Sequence, residues 1–264
     1  MQASIANQRL KPWSEPTTYA VTMIRLTLEH DTPRRASFYL AMERWVAANL
    51  PAGEDYIFTW VIAPTVVVGR NQDLDSEVNI ECCRRLGIDI CRRHSGGGAI
   101  YADTHNIMVS YIADARNTSV PEAFARYTDD ICARLHSLGI DAVGSGRNDV
   151  CVDSRKVSGG AFYDLGDRYV AHSTMLWDTD TDTMRRVLSP PAEKLQRHGV
   201  ASVASRVAGL RTLYPDLAFD HLRAALDAPG PGGKVRIISD DEADQIEQIR
   251  QRLYTDEWTF RKPH

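Results

Sequence analysis

Arg92-Arg93-His94-Ser95-Gly96-Gly97-Gly98-Ala99 is the stretch on which the reading of this chain turns. Consecutive glycines lose the most backbone freedom on folding, so three in a row stand where the backbone approaches something closely. A short strand over 88–92 leads in and a strand pair running to 112 leads out, which makes the glycines a turn between strands. Backbone N–H groups bared in such a turn suit a phosphate or the path of a flat ligand. The two arginines ahead of it would neutralise an anion. A flexible hairpin tip on a basic edge accounts for the same residues equally well. No Gly-Lys-Ser/Thr follows and the spacing is not GxGxxG, so neither the Walker loop nor the dinucleotide fingerprint applies.

Outward from this turn, strands and helices interleave. Upstream, 20–28 reads as a strand and 34–50 as a helix whose stripe is Phe38, Met42, Trp45 and Ala48. Strands follow at 56–62 and 65–68, then a helix over 76–86 that stops at Gly87. Downstream, Ser119-Val120-Pro121-Glu122 has the form of a capping box and opens a helix that Gly139 ends. Strands are expected at 150–152, 156–161 and 169–176, with Asp153–Ser154 as a tight turn between the first two. Helices at 181–188, 219–226 and 240–253, a strand at 235–238 and a loop at 228–233 complete the pattern. Hairpin-like pairs among helices predict an α+β fold: a mixed, largely antiparallel sheet with helices packed on it. Residues 1–20 read as a loose N-terminal arm and 21–264 as a single domain, helical toward its end from about 234.

Composition narrows the function. A formal net charge of −4 disfavours a nucleic-acid backbone as the main partner. No run of eighteen apolar residues is present, and the first twenty residues lack the apolar segment of a secretory signal. Cys82, Cys83, Cys91, Cys132 and Cys151 form no CxxC pair, which points to reduced thiols in the cytoplasm.

A second segment carries chemistry. Gly144-Ser145-Gly146-Arg147-Asn148-Asp149 precedes Arg155-Lys156-Val157-Ser158-Gly159-Gly160-Ala161. Asn148 and Asp149 offer an amide and a carboxylate suited to magnesium on nucleotide phosphates. Lys156, in a strand among small residues, is a compact point charge suited to holding a carboxylate against an α-phosphate. Either half alone reads more simply as a turn followed by a solvated Arg–Lys pair.

In order along the chain, Arg-Arg-X-Ser-Gly-Gly-Gly-Ala, Gly-Arg-Asn-Asp and Arg-Lys-Val-Ser-Gly together resemble the lipoate–protein ligase family, of the biotin/lipoate ligase fold. The likeness extends to Val68-Gly69-Arg70-Asn71-Gln72, His172-Ser173-Thr174-Met175-Leu176, Leu188-Ser189-Pro190, Lys194, Gly199-Val200 and the run 202–207. The resemblance implies a ligase that uses ATP and Mg²⁺ to convert lipoic acid to lipoyl-adenylate, then transfers the lipoyl group to a lysine of a lipoyl-domain acceptor. It places Lys156 at the carboxylate and α-phosphate. Arg93, Ser95, Gly96, Gly97, Gly98, Val157, Ala161 and His172 are placed around the acyl group and adenylate. Asn148 and Asp149 are placed at the nucleotide, with Asp149 as the magnesium ligand.

The sequence departs from the family pattern at Tyr101-Ala102-Asp103, Thr104-His105-Asn106 and Ala171-His172-Ser173-Thr174, which bear on the choice between lipoate and octanoate. Many bacterial relatives continue past the equivalent of Lys262 into an accessory domain, so a separate accessory protein is an expected partner for activation. The rival reading is a lipoyl or octanoyl transferase working from a preformed donor, with Cys151 as the residue to ask about; flanked by Val150 and Val152, Cys151 reads as a small buried strand residue.

Overall fold

The computed structural model describes residues 22–30, 32–116, 118–146, 148–189 and 207–262. The expected arm over 1–20, together with Arg147, Pro190, Lys194, Gly199, Val200 and 202–206, lies outside the described residues. In chain order the elements are β1 (Ile24–Leu28), α1 (Ala36–Asn49), β2 (Tyr56–Trp60), β3 (Thr65–Val68), α2 (Leu74–Glu77), α3 (Ile80–Leu86), β4 (Asp89–Arg92), β5 (Ile100–Ala102), β6 (Asn106–Asp114) and α4 (Val120–Ser137). There follow β7 (Val143–Ser145), β8 (Asp149–Val152), β9 (Arg155–Asp164), β10 (Arg168–Leu176), α5 (Thr181–Val187), α6 (Leu210–Leu213), α7 (Phe219–Leu226), β11 (Lys234–Ile238), α8 (Asp240–Leu253) and α9 (Asp256–Phe260).

Eight strands form one sheet in the order β11-β1-β2-β6-β10-β9-β8-β7. β1 runs parallel to both β11 and β2, and every other pairing is antiparallel, so the sheet is mixed and largely antiparallel as expected. A smaller sheet, β4-β3-β5, stands beside it and carries the glycine turn between β4 and β5. Alternation along β6 divides the interior. Ile107, Val109 and Tyr111 pack with α4 and α7, whereas Met108 and Ile112 pack with α1 and α8.

Helix α1 is more buried than its predicted stripe. Ala36 through Glu43 are all buried, because the helix lies against the large sheet and is covered in turn by α8. A helix enclosed on several sides has no solvent face for an amphipathic pattern to report. Helix α4 starts with the expected capping box: Ser119 caps the Glu122 N–H and Glu122 reaches back. Ser239 and Glu242 do the same for α8, which gives the acidic run at 240–242 its place at a helix start.

The expected helix over 76–86 is instead two short ones. Val78 bridges to Leu188 and Asn79 caps α3 through Cys82, so a tertiary pairing interrupts the helix. Gly87 ends it in the left-handed conformation, with φ of 67°.

Candidate active site

The glycine turn is built by the two arginines before it. Adjacent strand residues face opposite ways, and Arg92 and Arg93 serve different neighbours. Arg92 has no exposed surface and donates to five carbonyls, those of Gly69, Arg70, Gln72, Thr259 and Arg261. It ties the 69–72 turn to α9, whose Trp258 Nε1 donates back to the Arg92 carbonyl at 2.9 Å. The expectation that both arginines neutralise a ligand anion therefore needs correcting for Arg92: its fork is consumed by backbone that would otherwise be buried unpaired.

Arg93 is also buried. Its guanidinium donates to the carbonyls of Val67, Gly96 and Gly98 and to Ser95 Oγ. Burial draws its pKa down to about 10, which leaves it charged at neutral pH. The turn folds around this group. Gly97 has φ of +88°, and a Cβ there would sit 2.8 Å from Arg93 Nη2. A Cβ on Gly69 would meet the Gly97 carbonyl oxygen at 2.0 Å, so the 69–72 turn and the glycine turn touch through backbone.

Across the cavity stands the β8–β9 hairpin. Asp153 and Ser154 both take positive φ, 49° and 62°, the two-residue turn that matches the strand twist. Lys156 Nζ lies 2.7 Å from Asp149 Oδ1, with 23% of the lysine side chain exposed against 8% for the aspartate. Gly159 makes room for that pair: a Cβ on it would lie 2.3 Å from Lys156 Nζ. Asn148 is locked to β9, its carbonyl accepting from the Gly160 N–H at 2.7 Å and its Nδ2 donating to the Gly160 carbonyl.

Between turn and hairpin runs a cavity of about 310 Å³. Its apolar wall includes Leu40, Trp60, Val67 and Met108, and its polar wall Asn148, Asp149 and Lys156. Trp60 and Asp149 lie on strands four steps apart in the sheet, about 19 Å at the usual ~4.8 Å strand spacing. The cavity thus crosses the strands from an apolar region to a cation–carboxylate pair. That arrangement suits an elongated apolar molecule with an anionic head.

Of the residues expected at the site, Arg93, Gly97, Gly98, Asn148, Asp149, Lys156, Ala161 and His172 line this cavity. Ser95 does not; it is buried behind the turn. Gly96 is exposed on the turn and outside the lining. Val157 is corrected outright: fully buried, it faces the α4 side of the sheet and packs in the core there. Cys151 also lies outside the cavity lining and is buried. It is near Cys132 of α4, whose thiol is pushed up to about 11 by burial, with Asp129 and Cys151 adding to the shift.

Sequence reasoning missed Glu43, which is fully buried on α1. His172 Nδ1 lies 2.8 Å from Glu43 Oε1, and His172 Nε2 lies 2.8 Å from Ser95 Oγ. No local signal marked it: at helical spacing Glu43 falls on the side of α1 opposite the predicted stripe of Phe38, Met42, Trp45 and Ala48.

Comparison with known proteins follows the same lines. The family described as lipoyl protein ligase A/B catalytic domain matches residues 35–228. Lipoate–protein ligase 1 of Staphylococcus aureus is 38% identical over 177 residues, 67% of this chain and 54% of that protein. Lipoate-protein ligase A of Blochmanniella floridana is 33% identical over 202 residues, 75% of this chain and 59% of that protein. The chain thus spans a little over half the length of these curated relatives. Among solved structures, a chain from the bi-partite lipoate protein ligase system of Thermoplasma acidophilum superposes with a TM-score of 0.79 at 25% identity, covering 91% of this chain and 97% of that one.

Proposed function

The chain belongs to the lipoyl protein ligase A/B catalytic-domain family, and from that premise we propose that it is an ATP-dependent lipoate–protein ligase. The observation that carries the reading is the Lys156–Asp149 pair, seated over Gly159 at the polar end of an apolar cavity. Lipoate lies along the cavity with its carboxylate toward Lys156. A carboxylate oxygen attacks the α-phosphorus of ATP, the bond to the β-phosphate bridge breaks, and pyrophosphate leaves. Lys156 balances the negative charge that builds on the α-phosphate. The ε-amine of a lysine on a lipoyl domain then attacks the acyl carbon; the C–O bond breaks, and AMP and a proton are released.

The second step asks mainly for alignment of the amine with the mixed anhydride. No side-chain nucleophile is needed, and the burial of Cys151 away from the cavity supports the ligase over a thioester transferase. The nucleotide lies against Asn148 and Asp149, with the exposed glycines of the turn, Gly96 and Gly97, facing its phosphates. Mg²⁺ fits as an ion carried in by ATP: Asp149 offers a carboxylate oxygen and Asn148 keeps its amide oxygen as an acceptor. Among the described residues no cluster of three His, Cys, Asp or Glu makes a resident site. When bound, the ion screens phosphate charge. A cytoplasmic setting belongs to the same proposal: the five cysteines are free thiols, and no described helix is long and apolar enough to cross a membrane.

A second reading, in which activation requires a separate accessory protein, is favoured by one observation: the Thermoplasma acidophilum chain on which this one superposes, covered to 97%, belongs to a bi-partite lipoate protein ligase. One assay separates the two. The purified chain is mixed with lipoate, ATP, Mg²⁺ and an apo lipoyl domain, and the acceptor's intact mass is recorded, with Lys156→Ala in parallel. A gain of one lipoyl group, lost in the variant, is the expected result for a self-sufficient ligase. Gain only from synthetic lipoyl-adenylate establishes the accessory-dependent reading. Gain from neither overturns both.

A further inference from the structure

We infer that Glu43 is a positioning residue for the glycine turn: it fixes which ring nitrogen of His172 carries the proton, and through His172 it sets the direction of the Ser95 hydroxyl. The inference rests on the proposed function only for its kinetic test.

One buried chain of hydrogen bonds runs from Trp60 to Arg93, and its protons can be counted. At one end Trp60 Nε1, which can only donate, reaches Ser110 Oγ at 2.9 Å. Ser110 therefore sends its own proton onward to Glu43 Oε1, 2.6 Å away. At the other end Arg93 Nε, also an obligate donor, reaches Ser95 Oγ at 3.0 Å. Ser95 keeps its own proton to donate, and His172 Nε2 lies 2.8 Å away; because the Glu43 carboxylate on the other side of the ring only accepts, Nε2 is the nitrogen left to receive it. With Nε2 accepting, the neutral ring carries its proton on Nδ1 and donates it to Glu43 Oε1 at 2.8 Å. Tyr163 completes the carboxylate by donating to Oε2 at 3.2 Å. Two donor chains that start from fixed donors converge on Glu43, the one group that only accepts.

The far end of this chain is the site. Arg93 holds the carbonyls of Gly96 and Gly98 with the same guanidinium that binds Ser95. A His172 ring protonated on Nε2 instead would point a second donor at Ser95 Oγ and take away the acceptor of the Ser95 proton, turning the hydroxyl and loosening the turn. The Ser–His–Glu order matches a nucleophile triad in sequence of contacts but not in chemistry. Ser95 has no exposed surface and lies outside the cavity lining, and its oxygen is engaged by Arg93 while its proton is engaged by His172.

The first test needs no turnover. In histidine-ring ¹⁵N NMR of the wild-type chain at neutral pH, His172 is expected with a protonated Nδ1 and a bare Nε2; a protonated Nε2 overturns the proposal. Glu43→Gln, which keeps an acceptor oxygen, is expected to retain that tautomer. Glu43→Met, of similar size without an acceptor, is expected to lose it. In the ligase assay Glu43→Met raises KM for lipoate about tenfold with a smaller change in kcat, since a loosened turn weakens binding of substrate and transition state alike. Glu43→Gln restores it.

Ser95→Ala removes the link, so Glu43→Met added to Ser95→Ala has no further effect on KM; additive effects would overturn the proposal. Should Glu43→Met not fold, the wild-type tautomer and its retention in Glu43→Gln decide the matter. A wild-type chain without ligase activity removes the functional reading while the NMR result still stands or falls by itself.

Discussion

Arg92 and Arg93 precede the glycine turn and Lys156 follows the β8–β9 turn, yet the protein uses these cations in opposite ways. Both guanidiniums are buried and given over to backbone carbonyls, so their charge organises loops. Lys156 pairs with Asp149 and keeps about a quarter of its side chain exposed in the cavity. A planar fork with five donors is suited to gathering several carbonyls at once, whereas a single ammonium on a flexible stem is suited to following a phosphate. The glycine side of the site is thus built by cations, and the hairpin side presents one.

This contrast predicts that the hairpin side can be damaged with little loss of stability. Lys156→Ala is expected to lower lipoyl transfer by about 10³-fold, roughly 4 kcal/mol of transition-state stabilisation. Its urea midpoint should stay near that of the wild type. A large loss of stability would show that Lys156 is structural after all and erase the distinction. Arg92→Ala should do the reverse, costing about 3 kcal/mol in urea unfolding because five carbonyls lose one shared donor. A stable Arg92→Ala protein would break the contrast from the other side.

Two glycines sharpen it. A Cβ on Gly159 clashes with the movable end of Lys156 and meets Asp149 Oδ1 at an ordinary 3.5 Å, so Gly159→Ala should fold normally while misplacing the ammonium, at about a 10²-fold cost in activity. A Cβ on Gly69 meets the Gly97 backbone at 2.0 Å, so Gly69→Ala should lower the unfolding midpoint as well as the activity. Paired thermal melts and rate assays test both; equal melting temperatures for the two variants would contradict the assignment.

The smallest effect concerns pH. His94 stacks on Trp258 at 4.3 Å, and burial, followed by Arg44, Arg70 and Arg261, lowers its pKa to about 4. Since the folded pKa lies below the unfolded value of ~6.5, the unfolded chain binds more protons between the two. Stability from this group is complete above pH ~6.5 and is lost as the pH falls toward 4. At pH 5 the loss is at most about 2 kcal/mol. His94→Phe keeps an aromatic ring against Trp258 and removes the proton. Its urea midpoint should therefore fall less than the wild type's between pH 7 and pH 5, and parallel slopes would sink the assignment.

Much of the site was legible because its signals are local. A triple glycine between strands, a hairpin turn at Asp153–Ser154 and a lysine among small residues each declare themselves within a few positions, and the structure brings Lys156, Asn148, Asp149, Arg93 and His172 to one cavity. Some short elements were not legible. β7 exists by pairing with β8, and α6 and α9 span four and five residues; elements of that size depend on tertiary partners more than on their own propensity. Val157 was misplaced because strand alternation says only that neighbours face opposite ways, not which face is the cavity.

By itself the sequence determined the element types, the mixed α+β class, the two chemical segments and their order, since propensity, capping and turn chemistry act over a few residues. Only the tertiary structure decided what each polar side chain does. Arg92 and Arg93 are indistinguishable by type, and one binds α9 while the other holds the glycine turn. Glu43 lies 129 residues from its partner His172, a pairing set by which helix covers the β6 and β10 face of the sheet. A buried charge must find a partner, and sheet order and packing, which act across the whole chain, decide which one it finds.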